Sequence, residues 1–266
     1  MDGRFLVGLI GSGISPSRSP EIHEREGRAL GLQVFYQLMD LNGVPEDLPE
    51  LLQAAQRAGF AGVNITHPSK QAVIPLLDEI SDEALAIGAV NTVVFSQGRR
   101  RGYNTDCYGF AQSFRRGLAG ARLDSVLLIG AGGAGSAAAH AARALGGGRL
   151  LLYDKEYERA AQLAAKVGGH AVKELTPSDG LIHATPTGME GHPGIAVPPG
   201  FLRPEMWVSE LVYFPLETEL LKCAKDIGCR TLDGGGMAVF QAARAFELFT
   251  GVKPDEERML REFTVR

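Results

Sequence analysis

Apolar residues alternate along the chain between two patterns: short runs rich in β-branched residues, and longer stretches with apolar positions at helical spacing. The short runs predict strands and the longer stretches predict amphipathic helices between them, which is typical of βαβ units and mainly parallel sheets. The predicted strands are 4–10, 34–39, 61–65, 90–95, 125–129, 149–153, 180–184 and 206–212.

Several helices have recognisable first residues. Ser19-Pro20 and His67-Pro68 are interpreted as an N-cap followed by Pro at the first helical position, and Asp106 opens a helical run to Leu118. Two further helices are predicted at 236–250 and 254–264, with no strand after them.

The strands fall into two sets. The second set begins afresh at Leu123-Asp124, after the glycine-rich stretch 117–120, so a domain boundary is expected near 103–120. The expected α/β architecture has a first domain at 1–105, with a mainly parallel sheet, and a second domain at 106–236. Residues 237–266 are expected to return to the first domain.

Composition and charge exclude several classes of function. The chain has 266 residues, 45% of them hydrophobic, and a formal charge of -4. Its longest basic run, at 99–101, is expected to be a solvated loop or strand end, so nucleic acid and anionic membranes are not expected partners. No apolar run reaches the roughly 18 residues of a membrane span, and 1–11 reads as a strand instead of a signal peptide.

Three cysteines lack the spacing of a zinc site or the density of a disulfide scaffold. A cytoplasmic location is therefore expected, without a metal cofactor.

Residues 126–135, VLLIGAGGAG, combine an apolar strand with closely spaced glycines and lead into an Ala-rich helix. This is the dinucleotide fingerprint in its required context: the glycines serve the tight turn, the approach of the pyrophosphate, and helix packing on the sheet. The residues expected to bind the cofactor here are Gly130, Gly132, Gly133, Ala134 and Gly135.

Asp154 ends the next strand, 24 positions after Gly130. An acid there binds the ribose hydroxyls of NAD and repels the 2′-phosphate of NADP. NAD is therefore the expected cofactor and NADP the less suitable one, although the neighbouring Lys155 could partly tolerate the phosphate.

Oxidation of an alcohol by NAD needs a group that takes the hydroxyl proton. The chain has neither a Tyr-x-x-x-Lys after the fingerprint nor a Cys/His set for catalytic zinc. Polar patches instead follow the predicted strands, where ligands bind in open α/β sheets. They are Ser17-Arg18-Ser19-Pro20, Asn64-Ile65-Thr66-His67-Pro68-Ser69-Lys70, Asn91-Thr92 and Asn104-Thr105-Asp106.

These patches, together with GAGGAG, ATPTGM (184–189), VYFPLETELL (212–221) and DGGGMAVFQ (233–241), resemble the shikimate dehydrogenase family over nearly the whole chain. Within it, Asp154 and the phrase PLETELL are most similar to the NAD-using quinate/shikimate branch. The resemblance implies a substrate-binding first domain, a Rossmann second domain, and reversible oxidation of the 3-hydroxyl of shikimate. Quinate is a second candidate substrate. The resemblance leaves open whether the chain is a monomer or a homodimer.

The resemblance also implies roles for individual residues. Lys70 and Asp106 would form the proton relay. The residues expected to bind the ring acid are Ser17, Ser19, Thr66, Asn91, Tyr213 and Gln241. Thr185, Val212, Gly234 and Met237 are expected on the nicotinamide side.

Taken singly, these residues have structural explanations as well. Ser19 and Asp106 suit helix caps, Lys70 a surface lysine, and Tyr213 and Met237 core positions. Their joint occurrence in one family's spacing favours the functional interpretation. Two other functions remain open: the same chemistry on an amino-shikimate or another hydroxylated cyclic acid, and a non-catalytic dinucleotide sensor, which would not need the Lys70/Asp106 pair.

Two positions depart from the family's pattern. His183 stands where relatives usually carry Asn, and Glu210 where Asp is commoner. A lone histidine on a strand is more often a satisfied core residue than a ligand, so no proton-transfer role is expected for His183.

Overall fold

The computed structural model describes residues 3–264. The chain divides into two compact units. One comprises the residues up to Thr105 together with those from Val239 onward, and the other comprises Asp106–Ala238. Within the described residues each unit contains a six-stranded sheet, and this arrangement confirms the predicted α/β fold.

The first sheet is parallel on one side and mixed on the other. Its strand order is β2-β1-β3-β5-β6-β4. The pairs β1–β2, β1–β3 and β4–β6 are parallel, whereas β3–β5 and β5–β6 are antiparallel. The strands are β1 (Arg4–Gly11), β2 (Gln33–Asp40), β3 (Gly62–Ile65), β4 (Glu79–Ile80), β5 (Thr92–Ser96) and β6 (Arg99–Tyr103).

Every strand pair in the second sheet is parallel. Its order is β12-β11-β10-β7-β8-β9. Strands β8 and β9 extend the sheet from β7 to one side, and β10, β11 and β12 extend it to the other. That reversal beside β7 is the topological switch point of a Rossmann fold. The strands are β7 (Ser125–Ile129), β8 (Arg149–Tyr153), β9 (His170–Ala171), β10 (Gly180–His183), β11 (Trp207–Glu210) and β12 (Arg230–Leu232).

Helices connect the strands and cover the sheets. They are α1 (Ser19–Ala29), α2 (Leu48–Arg57), α3 (Asp82–Ile87), α4 (Asp106–Gly117), α5 (Gly133–Ala144), α6 (Tyr157–Val167), α7 (Glu219–Ile227), α8 (Gly235–Thr250) and α9 (Glu256–Thr264). In the first unit, Phe246 and Phe249 of α8 pack with Val7 and Leu9 of β1, and a second cluster lies around Leu52 of α2. Within residues 3–264, every helix is too short or too polar to cross a membrane.

Two predicted helix starts are wrong in detail. Arg18, not Ser19, occupies the N-cap position of α1, because the Arg18 carbonyl already accepts the N–H of Ile22 at 3.1 Å. No helix begins at His67-Pro68, a cis peptide; turns extend to a 3-10 helix at Ile74–Leu76. The carbonyl of Lys70 accepts the N–H of Val90 at 2.8 Å, so it is not used for a helical bond.

The basic run Arg99–Arg101 forms the first part of strand β6, which is the strand-end alternative of the prediction. Gln97 and Gly98 both have positive φ and make the tight turn from β5 to β6. The side chains of Arg99 and Arg101 remain exposed and pair with Glu79 of β4. A run of arginines can form this strand because the side chains of Arg99 and Arg101 stay in solvent.

Candidate active site

The loop after β7 has the geometry of the dinucleotide fingerprint. Gly130 has φ +100°, and a Cβ there would lie 2.7 Å from the Ala184 carbonyl oxygen. A Cβ on Gly135 would collide with the Gly130 carbonyl oxygen, whereas one on Gly132 would meet no atom within 4 Å. The first and third glycines are thus required by packing, and the second faces open space through which a phosphate can approach.

Helix α5 begins at Gly133, with Gly132 as its N-cap. The glycine at the cap position has no side chain to satisfy the first N–H groups, and the first turn has no acidic residue. The N–H groups of the first turn and the positive end of the helix dipole therefore suit an anion. Together with the space above Gly132, this end fits the pyrophosphate of a dinucleotide.

Asp154 lies directly after β8 and is half-buried. Its Oδ2 accepts the N–H of Ala131 at 2.8 Å, and its Oδ1 accepts the N–H of Glu156 at 2.9 Å. The carboxylate is thereby held beside the fingerprint loop. Each oxygen has a second lone pair with which it can accept a ribose hydroxyl.

The residues expected on the nicotinamide side follow strands β10, β11 and β12. These strands lie on the opposite side of β7 from β8. A Cβ on Gly130 would lie 2.8 Å from Cγ2 of Thr185, so Thr185 packs on the fingerprint loop. A Cβ on Gly234 would lie 2.6 Å from the carbonyl oxygen of Val212, which brings these two residues together. Met237 is buried in the first turn of α8.

Tyr213 follows Val212 and is 41% exposed as a whole residue. Burial, and after it the negative charge of Asp106, raises the pKa of the Tyr213 phenol. The phenol therefore stays protonated at neutral pH and can donate a hydrogen bond. Asp106 is buried at the first position of α4.

In the first unit, Ser17 and Ser19 lie together before and at the start of α1. The Ser17 hydroxyl donates to Ser19 Oγ at 3.2 Å and accepts the Ser19 N–H at 3.3 Å. Asp40 supports the preceding loop, because its carboxylate accepts the N–H groups of Gly13 and Ile14 at 3.2 and 3.0 Å. Hydrogen bonds from the N–H groups of Asn42 and Ile14 lower the Asp40 pKa.

Thr66 and Lys70 follow strand β3. The Thr66 N–H donates to the Ile10 carbonyl at 2.9 Å, which ties this segment to the end of β1. Thr66 Cγ2 would meet a Cβ built on Gly11, the last residue of β1. Lys70 is half-buried, and both residues lie at the carboxyl edge of the first sheet.

Asn91 reaches the same edge from the opposite chain direction, because β5 is antiparallel to β3 and Thr92 pairs with Asn64. Its side chain donates to Thr105 Oγ1 at 2.9 Å and accepts the Thr105 N–H at 2.7 Å. Thr105 Oγ1 in turn donates to Gln241 Oε1 at 3.4 Å. Asn91 therefore fixes the residue that precedes Asp106 and, through it, Gln241.

At one sheet edge of the first unit, the structure thus gathers Lys70 of the predicted relay with five of the predicted ring-acid residues: Ser17, Ser19, Thr66, Asn91 and Gln241. Within the second unit the predicted cofactor residues follow the ends of β7, β8, β10, β11 and β12. Sequence reasoning overlooked a buried contact: His183 and Glu210 are hydrogen-bonded to each other. The available signal was that both positions depart together from the family's pattern.

Comparison with known proteins matches two segments of the chain to one family. Residues 9–93 match the model of the shikimate dehydrogenase substrate binding domain, and residues 234–262 match that of the shikimate 5'-dehydrogenase C-terminal domain. The shikimate dehydrogenase (NADP(+)) of Streptomyces avermitilis is 55% identical, over 96% of this chain and 94% of that protein.

Other relatives have a different cofactor in their names. The quinate/shikimate dehydrogenase (NAD(+)) of Corynebacterium glutamicum is 45% identical, over 99% of both chains. The structure of quinate dehydrogenase from Corynebacterium glutamicum in complex with NAD superposes with a TM-score of 0.89, at 45% identity, and covers 98% of both chains.

Proposed function

Because the chain belongs to the shikimate dehydrogenase family, we propose that it reversibly oxidises the 3-hydroxyl of shikimate, and also that of quinate, with NAD as the hydride acceptor. The observation that carries the choice of cofactor is the Asp154 carboxylate, which is held beside the fingerprint loop by the Ala131 N–H. A negative charge at this place favours a ribose that carries hydroxyls over one that carries a 2′-phosphate.

Lys70 is the general acid/base of the proposed reaction, and Asp106 is its acidic partner. During oxidation the substrate loses a hydride from the ring carbon and the hydroxyl proton from the oxygen attached to it. Lys70 takes that proton, and in the reverse direction it returns the proton to the oxygen. The bound nicotinamide supplies the hydride acceptor.

Ser17 and Ser19 bind the ring carboxylate in this proposal. Their hydroxyls lie next to the N-terminus of α1, where the positive end of the helix dipole favours an anion. The protonated phenol of Tyr213 adds a donor. Thr66, Asn91 and Gln241 bind the ring hydroxyls. Hydrogen bonds through Thr105 keep the side chains of Asn91 and Gln241 in fixed orientations.

A product analysis tests the proposed substrate. Purified protein is incubated with NAD and shikimate, and separately with NAD and quinate, and the products are identified by NMR. The 3-dehydro acid is expected in stoichiometric amount with NADH. Binding of NADH without conversion of either acid would refute the proposed reaction and favour a dinucleotide sensor.

A further inference from the structure

A buried acid–imidazole pair joins the ends of two strands in the second unit. β10 and β11 are parallel neighbours, and their last residues, His183 and Glu210, are register partners. Neither side chain is exposed, and His183 Nδ1 lies 2.8 and 2.9 Å from the two oxygens of Glu210. A carboxylate only accepts hydrogen bonds, so His183 Nδ1 carries the ring hydrogen and donates a hydrogen bond to Glu210.

Glu210 also organises the segment that follows β11. Its Oε1 accepts the N–H of Val212 at 3.0 Å, and its Oε2 accepts the hydroxyl of Thr218 at 3.1 Å. Thr218 is the N-cap of α7 and accepts the N–H of Leu221. One carboxylate therefore holds both ends of the 211–218 segment and orients the imidazole.

The second ring nitrogen of His183, Nε2, contacts Thr185. His183 Nε2 lies 2.5 Å from Thr185 Oγ1, which also accepts the N–H of Thr187 at 3.3 Å. Thr185 packs against Gly130, where the fingerprint turn begins. The hydroxyl of Thr185 is thereby fixed at the edge of the sheet where the cofactor would bind.

The strand order indicates which half of a dinucleotide lies near Thr185. The pyrophosphate suits the end of α5, and Asp154, after β8, suits the ribose of the adenosine half. β10 and β11 lie on the other side of β7 from β8. The nicotinamide half must therefore extend towards Thr185 and Val212.

We propose that His183 and Glu210 are positioning residues for the nicotinamide half of the dinucleotide. Glu210 fixes the orientation of His183, and His183 fixes Thr185 Oγ1 as a hydrogen-bonding group towards that half. Apolar residues would join the two strands without the desolvation of an acid and an imidazole. The polar pair does more than join strands, because it continues to a hydroxyl beside Gly130.

This inference rests on the proposed dinucleotide use, and binding measurements test it without catalysis. Calorimetry gives the Kd of NADH and of ADP, which lacks the whole nicotinamide half. The variants are His183→Asn, Glu210→Gln and Thr185→Val, with Ser178→Ala as the control. Ser178 is a buried hydroxyl at the other end of β10 that donates to the Gly180 carbonyl at 2.9 Å.

Each of the three site variants is expected to raise the Kd of NADH roughly fivefold to tenfold, because about one hydrogen bond is lost. The Kd of ADP should change by less than about twofold. The double variant His183→Asn/Thr185→Val should bind NADH no more weakly than Thr185→Val alone, because the histidine acts through the threonine. Ser178→Ala should leave both Kd values unchanged.

Equal losses for NADH and ADP would overturn the inference, since the pair would then only maintain the domain. Fully additive effects in the double variant would also overturn it. Thr185→Val leaves the buried pair intact, so it remains informative where a variant of the pair does not fold. If the wild type prefers NADPH, NADPH and 2′-phospho-ADP replace the two ligands. Failure of the wild type to bind either dinucleotide would refute the proposed function instead.

Discussion

The backbone N–H of Ala131 donates to Oδ2 of Asp154 at 2.8 Å, so the acid after β8 is tied to the loop after β7. Asp154 is therefore a fixed charge beside the expected pyrophosphate and not a mobile surface carboxylate. Lys155, the next residue, is exposed. We propose this carboxylate as the group that discriminates between the two cofactors.

Asp154→Asn removes this charge and keeps an oxygen that can accept the Ala131 N–H. We expect the ratio of kcat/KM with NAD to kcat/KM with NADP to fall roughly 10- to 100-fold, equivalent to about 1.4 to 2.7 kcal/mol. Steady-state rates with both cofactors measure it. Glu156→Gln removes an exposed acid two residues away and should leave the ratio unchanged; a similar fall in that variant would implicate net charge alone.

Lys70→Met removes the proposed proton acceptor. We expect kcat to fall roughly 100- to 10,000-fold, the usual contribution of a general acid/base, while the Kd of NADH stays nearly the same. Stopped-flow rates and a fluorescence titration measure the two quantities. Lys166→Met, at an exposed position of α6, is the control. An equal loss of NADH affinity in Lys70→Met would refute the assigned role.

An ion pair with a buried carboxylate links α9 to α1. Arg258 Nη2 and Nε donate to the two oxygens of Glu26, at 2.6 and 2.9 Å, and the Glu26 side chain is 1% exposed. Glu26→Ala removes the charged hydrogen bonds to the guanidinium and should lower the free energy of unfolding by about 1.5 to 3 kcal/mol.

The control is Glu217→Ala, which breaks the exposed pair with Lys225 and should cost at most about 1 kcal/mol. Urea denaturation measures both losses. Equal losses in the two variants would show that burial of the Glu26 pair does not matter.

His23 makes the stability of the first unit depend on pH. The ring is buried against Tyr36, and burial lowers its pKa from 6.5 to about 4. The unfolded chain therefore binds a proton between these values that the folded chain does not, so stability falls as the pH falls through this window. A shift of this size corresponds to about 3 kcal/mol.

His23→Leu removes this contribution and should make the free energy of unfolding less dependent on pH between 7 and 4. Denaturant titrations at several pH values, with the variant's curve subtracted from that of the wild type, measure the difference. A difference that does not change with pH would contradict a buried, neutral His23.

Much of the fold follows from the sequence because its signals are local. The apolar runs of β7 and β8 and the glycines between β7 and α5 identify the second sheet without tertiary information. The helix start at Asp106 was equally readable. The two-residue strands β4 and β9 were not, since too few residues carry the pattern.

Other features depend on individual hydrogen bonds that the apolar pattern does not reveal. Strand β11 ends at Glu210 instead of continuing to 212, because the N–H of Val212 is taken by the Glu210 carboxylate. The helix predicted to begin at His67-Pro68 does not form there, and the Lys70 carbonyl instead accepts the N–H of Val90, which lies beyond α3. The connection between His183, Glu210 and Thr185 joins two strands and was invisible in either one alone.

The most direct test of the central claim is the initial rate of shikimate oxidation by the wild-type protein, with NAD and with NADP at equal concentrations, followed by the absorbance of the reduced cofactor. The carboxylate of Asp154 predicts a rate with NAD well above that with NADP. A higher rate with NADP would contradict the account of Asp154, and the absence of a rate with both cofactors would contradict the proposed reaction itself.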